Sequence, residues 1–457
     1  MKFIKPAKRL ALLAPDMVQT LLAVVSYSIL SKVMPLSEYG IFRSILAYCP
    51  ILISISPLGL YGTLVSYYIR NKKKASAEAF FNNLFFAWFI LLAPIAAGFS
   101  VIFAYQIATT HFAAIGIALV LFFLYLESIL LTIADANCLS KEKYGSIALL
   151  YSINGITRIL LIVGMYFTYD HYLGLKNVIA AYLGGAMLSI FYSINIQVIK
   201  PAQVEQFPAC LIKYLRLRNI VSIVRNISGS LNSSVLTPLL TFSIDTSISS
   251  IPFAIIAYHL PSEIFAKWAN LLMVVKFTLI PATSYVSRVI LSIPGNSSSP
   301  DEKLSVIHKI PNLKVKKTII SLSLVIVTSF FASTLITPYA VAWLDSGIFG
   351  WQLLLGISNR LNYYILILLL TLYLLGTSVT RSIFMRPSLA SHGLLPVLAP
   401  QLSYLCFIYT FRNDLTIRTI ASGLVLAIVI QYIICFCWTF ASFRPSLLKF
   451  NETNSLR

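Results

Sequence analysis

Long apolar runs alternate with short loops along this chain, and almost all of its Lys and Arg stands in every second loop. An apolar run of about 20 residues is what a helix needs to cross a ~30 Å hydrocarbon layer. Basic loops are held on the cytoplasmic side of a membrane, so charge in alternate loops fixes an orientation. The pattern predicts an all-α integral membrane protein that crosses the bilayer many times. With 58% apolar and only 11% charged residues, the chain lies far outside the usage of soluble globular domains.

The first half holds apolar runs at 10–33, 41–69, 80–105, 112–137, 146–169 and 177–199. The second half holds them at 219–257, 262–291, 317–343, 361–384, 391–411 and 416–442. These predict about 12 transmembrane helices. The run at 219–257 is too long for one straight span and carries Pro238, Asp245 and Pro252, so it reads as a broken helix or as a helix with a re-entrant piece. With the N-terminus inside, 25 of the 35 basic residues fall in inner segments and 5 in outer ones, and the spans keep Arg43, Arg158, Arg225, Lys267 and Lys276. A span too many or too few would scramble this separation, so both termini are expected in the cytoplasm. The organisation expected is an N-terminal six-helix lobe over 1–200, a linker over 201–218, a C-terminal six-helix lobe over 219–443 and a tail over 444–457. The longest hydrophilic stretch, 293–316, reads as a flexible cytoplasmic loop.

Several functions are disfavoured at this level. A net charge of +20 suggests nucleic acid in a soluble chain, but here the basic residues cap apolar segments rather than form one face. No nucleic-acid partner is expected. The six cysteines form no C-x-x-C pair and the five histidines stand singly, so neither disulfide nor metal nor cofactor is expected. The apolar run after Arg9 continues without a small-residue cleavage site, which reads as a first span rather than a cleaved signal.

The two halves echo each other. Met34-Pro35-Leu36-Ser37-Glu38-Tyr39-Gly40-Ile41 stands at the mouth of the second span, and His259-Leu260-Pro261-Ser262-Glu263-Ile264-Phe265-Ala266 at the mouth of the eighth. Both sites hold the same rank in their group of six. An even number of spans per half predicts two parallel six-helix lobes related by an axis along the membrane normal, around a central cavity.

These segments, with Leu58-Gly59-Leu60 and Ile280-Pro281-Ala282-Thr283-Ser284, resemble the corresponding helices of Wzx-type O-antigen flippases, which belong to the multidrug/oligosaccharidyl-lipid/polysaccharide exporter superfamily. In two places the chain departs from the family pattern: Phe265 stands where a Gly is usual, and the seventh span lacks a clear Asp-Arg pair at its outer end. The resemblance implies a non-enzymatic transporter in a bacterial inner membrane. It would carry an undecaprenyl-pyrophosphate-linked oligosaccharide from the inner to the outer leaflet by alternating access. The partners implied are that lipid-linked oligosaccharide, membrane lipids, H+ or Na+ as coupling ion, and a polysaccharide polymerase. A drug or cation antiporter of the same superfamily and a membrane O-antigen polymerase are the competing readings. The first would favour acidic cavity residues and the second a large, Arg-rich outer loop.

Charges deep in spans are expensive and mark function by default. Arg158 and Lys276 lie about 18–21 Å along their helices, near mid-membrane, and Glu127 is equally deep. Glu127 reads either as the ion partner of Arg158 or as a coupling carboxylate. Asp16, Arg43, Arg225 and Lys267 lie only about 8–11 Å from a span end. The candidate cargo-binding set is Arg43, Arg158, Arg225, Asn226, Lys267 and Lys276. Arginine in particular suits bidentate contact with pyrophosphate. Asp16 and Glu127 are the candidate ion-coupling carboxylates.

Overall fold

The computed structural model describes residues 6–56, 58, 75–108, 110, 111–140, 144–169, 173–195, 233–292, 330–331, 334–336, 360–384 and 390–455. Inside a bilayer every backbone N–H and C=O must be satisfied within the chain, and the helix does this segment by segment. Among the described residues there are eleven α-helices and one 3-10 turn. The first group is α1 (Pro6–Val33), α2 (Leu36–Ser54), α3 (Ala75–Ile107), α4 (His111–Ser140), α5 (Tyr144–Thr168) and α6 (Leu175–Asn195). The second is α7 (Ser233–His259), α8 (Ser262–Ser292), α9 (Arg360–Phe384), α10 (Ala390–Thr410) and α11 (Ile417–Ser455).

Eleven of the expected spans thus coincide with helices. The span at 317–343, the loops at 201–218 and 293–316, and the first part of the long seventh run lie largely or wholly outside the described residues. Within the described residues, α7 runs without a break through Pro238 and Pro252; a break or re-entrant piece over 219–232 would lie outside them. Ser250 Oγ donates to the Thr246 carbonyl at 2.6 Å just ahead of Pro252. The last helix is longer than hydropathy alone implies. Its apolar run is expected over 416–442, yet the helix runs on to Ser455 through what reads as a tail. Hydropathy ends where lipid ends, whereas a helix ends where its backbone is capped.

Two bodies of apolar side chains follow the two groups. Leu30, Phe42, Val120, Ile162, Val178 and Tyr182 pack together in the first lobe. Leu271, Val275, Leu366, Leu370, Tyr404 and Leu424 do so in the second. The lobes meet through α1 and α2 on one side and α7 and α8 on the other. Of these, α8 is the most enclosed, and every residue from Trp268 to Val275 is buried.

Candidate substrate pathway between the lobes

At the end where α1 passes into α2, the lobes are in close contact. A Cβ built on Gly40 would stand 2.0 Å from the carbonyl oxygen of Ser262, so the two helices approach backbone to backbone. One residue earlier, the fully buried Tyr39 donates its hydroxyl to Asn270 Oδ1 at 2.6 Å. One turn further on, Arg43 Nη2 donates to the Ala269 carbonyl at 2.9 Å, and its guanidinium lies over the Tyr27 ring at 4.2 Å. Glu38 ties α2 back to its own lobe, accepting from the Leu175 amide at the start of α6 at 2.5 Å. A carboxylate there answers the orphan amides and positive dipole of a helix N-terminus.

Along α8 the interface then opens. Lys276 follows Ala269 by seven residues, about two turns and 10 Å, and returns within about 20° of the same helix face. Ala269 is buried on that face, whereas Lys276 is exposed. Its ammonium stands 5.7 Å from the centroid of Phe253 on α7. Lys267, half-buried, lies nine residues before Lys276 and so points about 180° away from it. The two lysines cannot serve the same face of one helix.

Where α2 meets α7, Ser247 Oγ donates to Ser54 Oγ at 2.7 Å at the far end of α2, and Ala254 packs among Ile45, Tyr48 and Leu52. That seam is closed along its length. Where α1 meets α8, Ala266 packs against Leu30 and Met34.

The deep carboxylates lie inside the lobes. Arg158 Nη2 donates to Glu127 Oε2, and its guanidinium sits 5.2 Å from the Tyr182 ring. Gly185 makes room for it, because a Cβ there would fall 2.6 Å from Arg158 Cγ. Glu127 is 3% exposed, and its Oε1 has no donor among the described residues. Asp16 is half-buried on α1, with its carbonyl accepting from Thr20 Oγ1 at 2.9 Å. Arg225 and Asn226 lie outside the described residues. The sequence reading did not single out Asp245 as a site. It is 1% exposed in α7 and accepts from Gln401 Nε2 of α10 at 2.8 Å. The available signal was an acid flanked by apolar and hydroxyl residues inside a span, the same signal that marked Glu127.

No family model and no curated protein matches this sequence. Solved structures do. The fold resembles a MOP superfamily transporter from Pyrococcus furiosus Vc1, described as having a binding pocket of reverse polarity, with a TM-score of 0.57 at 12% identity over 96% of this chain and 95% of that one. It also resembles MATE in complex with MaL6, with a TM-score of 0.57 at 14% identity over 96% and 95% of the two chains. An inward-facing multidrug resistance MATE family transporter of the MOP superfamily gives 0.55 at 14% identity over 98% and 99%. An outward-facing one gives 0.55 at 14% over 96% and 95%. Superposition therefore does not distinguish the two states. What the likeness shows is the fold, which this chain shares with those structures.

Proposed function

We propose that this protein is a flippase that carries a lipid-linked, pyrophosphate-bearing oligosaccharide across a bacterial inner membrane, with its lobes open to the cytoplasm in the state described here. The reading rests on one observation. At mid-membrane depth the carboxylates Glu127 and Asp245 are buried within the lobes, while Lys276 is exposed and shares the helix face of Ala269, whose carbonyl meets Arg43 of the first lobe. A charge at that depth is sustained by water or by a counterion rather than by lipid. A cation there suits an anionic cargo.

Lys276 is the floor of the cargo site and Arg43 its ceiling, with Arg225 and Asn226 as further contacts of the same pathway. Arg158, held by Glu127, shapes the first lobe rather than the cargo, and Lys267 serves the opposite face of α8. The isoprenoid tail stays in lipid while the head group passes between the lobes. Coupling to H+ or Na+ runs through a buried carboxylate. Among the described residues Glu127 Oε1 has no donor, and Asp245, bonded to Gln401, is a second buried carboxylate, in the other lobe. Asp16, half-buried, is a third candidate, at the more exposed end of α1.

The fold is shared with multidrug transporters, so an exporter of organic cations is the reading to exclude. Deleting the gene separates the two. A flippase deletion leaves lipid-linked oligosaccharide accumulated on the inner leaflet with surface glycan lost. Unchanged lipid intermediates together with new sensitivity to cationic drugs would overturn the proposal.

A further inference from the structure

We propose that Tyr39, Gly40 and Asn270 form a polar latch that holds the α1–α2 end of the pathway shut, and that parting it is the step by which this face opens. The inference rests on the alternating-access reading above and adds to it the residues that set the balance between its two states.

Three observations carry it. First, the contact between Gly40 and Ser262 is backbone to backbone, which only glycine permits, so α2 and α8 close more tightly here than side chains would allow. Second, among the described residues the bonds that leave this end of α2 for the second lobe are polar and few: Tyr39 to Asn270 and Arg43 to the Ala269 carbonyl on α8, and Ser44 Oγ to the Ala257 carbonyl on α7. The layer around them, with Leu30, Met34, Phe42 and Ala266, is apolar. A buried hydrogen bond contributes little net stability because water replaces it on opening, whereas losing one partner leaves the other stranded in the closed state. Such a contact closes specifically and opens cheaply into water. Third, Glu38 fastens the same end of α2 to α6 inside the first lobe. Movement of the first lobe therefore carries α2 with it, and separation falls between α2 and the second lobe, at α8 and at α7.

The sequence repeat supports the assignment. At the equivalent place in the second half, Phe265 stands where Gly40 stands in the first, so the close approach is built from one side only.

The test uses side-specific labelling, which reads the latch without any cargo. A cysteine replaces the fully buried Ala266, whose neighbours include Leu30, Met34 and Tyr39 across the contact, in a variant lacking the six native cysteines. Right-side-out membrane vesicles are treated with a membrane-impermeant thiol reagent. Tyr39→Phe leaves Asn270 Oδ1 stranded, and the labelling rate should rise about five-fold, the population shift expected for one buried hydrogen bond. Asn270→Leu should do the same. The double variant removes both partners and should label less than the product of the two single effects. Gly40→Ala forces the helices apart and should give the fastest labelling of all, while inside-out vesicles show no increase.

Labelling that rises equally from both sides, or single effects that simply multiply, would mean these residues only support the fold, and the latch would be wrong. If the rates shift as expected but deletion of the gene leaves lipid-linked oligosaccharide unchanged, the latch stands and the cargo assignment falls.

Discussion

Removing Arg158 separates the two roles that a deep arginine can play in this protein. In Arg158→Ala the Glu127 carboxylate keeps its place, 3% exposed, with Oε2 losing the guanidinium and Oε1 already lacking a donor among the described residues. Breaking a buried pair by deleting one member costs about 3–5 kcal/mol, because an uncompensated charge stays behind. Loss of the guanidinium over Tyr182 adds to this, since a desolvated cation–π contact is worth roughly 1–2 kcal/mol. At roughly 2–4 °C per kcal/mol for a unit the size of one lobe, the melting temperature should fall by about 10–25 °C. Removing both charges, as in Glu127→Leu with Arg158→Leu, strands nothing and should restore stability to near or above the native level. Intrinsic-fluorescence melting of the purified proteins in one detergent measures all three. An Arg158→Ala protein that melts like the wild type yet no longer transports would refute the reasoning, for the guanidinium would then act on cargo and not on Glu127.

Gly185→Ala presses a methyl group onto Arg158 Cγ from 2.6 Å and should reproduce part of the Arg158→Ala loss, about 1–3 kcal/mol by the usual penalty for overpacking, in the same melting assay. Asp245→Asn preserves the shape of its contact with Gln401 but removes the charge, so it should leave melting close to wild type while abolishing any dependence of transport on an imposed ion gradient; transport that still follows the gradient would clear Asp245 of a coupling role. Lys276→Arg should retain transport and Lys276→Glu should abolish it at equal protein abundance, because the position needs positive charge more than a particular shape; surface glycan measured in cells carrying each variant checks this.

The spans were legible because each must satisfy its own backbone and meet lipid on at least one side, which leaves a long apolar run in the sequence. Helix ends were less so: α11 outlasts its apolar run, and α7 continues through Pro252, where a proline would ordinarily suggest a break. The site was legible as a set of deep charges but not as pairings. Arg158 and Glu127 look alike in depth to Lys276, and only packing shows that the first two meet while the third is exposed between the lobes. Lys267 and Lys276 look like neighbours on one span until the helix turns them to opposite faces. The motif around Ser37 and Glu38 was visible as a helix start, yet Glu38 serves the N-terminus of α6 and Gly40 serves the contact with Ser262. Those roles belong to tertiary geometry, which no periodicity encodes.

The most direct measurement places the purified protein in liposomes with a fluorescent isoprenoid-pyrophosphate oligosaccharide and follows the fraction that a membrane-impermeant reductant can bleach. Wild-type protein should make the inner-leaflet pool reachable, and Lys276→Ala should return the rate to that of protein-free liposomes. Equal rates with and without the wild-type protein under an imposed ion gradient and membrane potential, or full activity in Lys276→Ala, would contradict a cationic passage for a phosphate-bearing glycolipid.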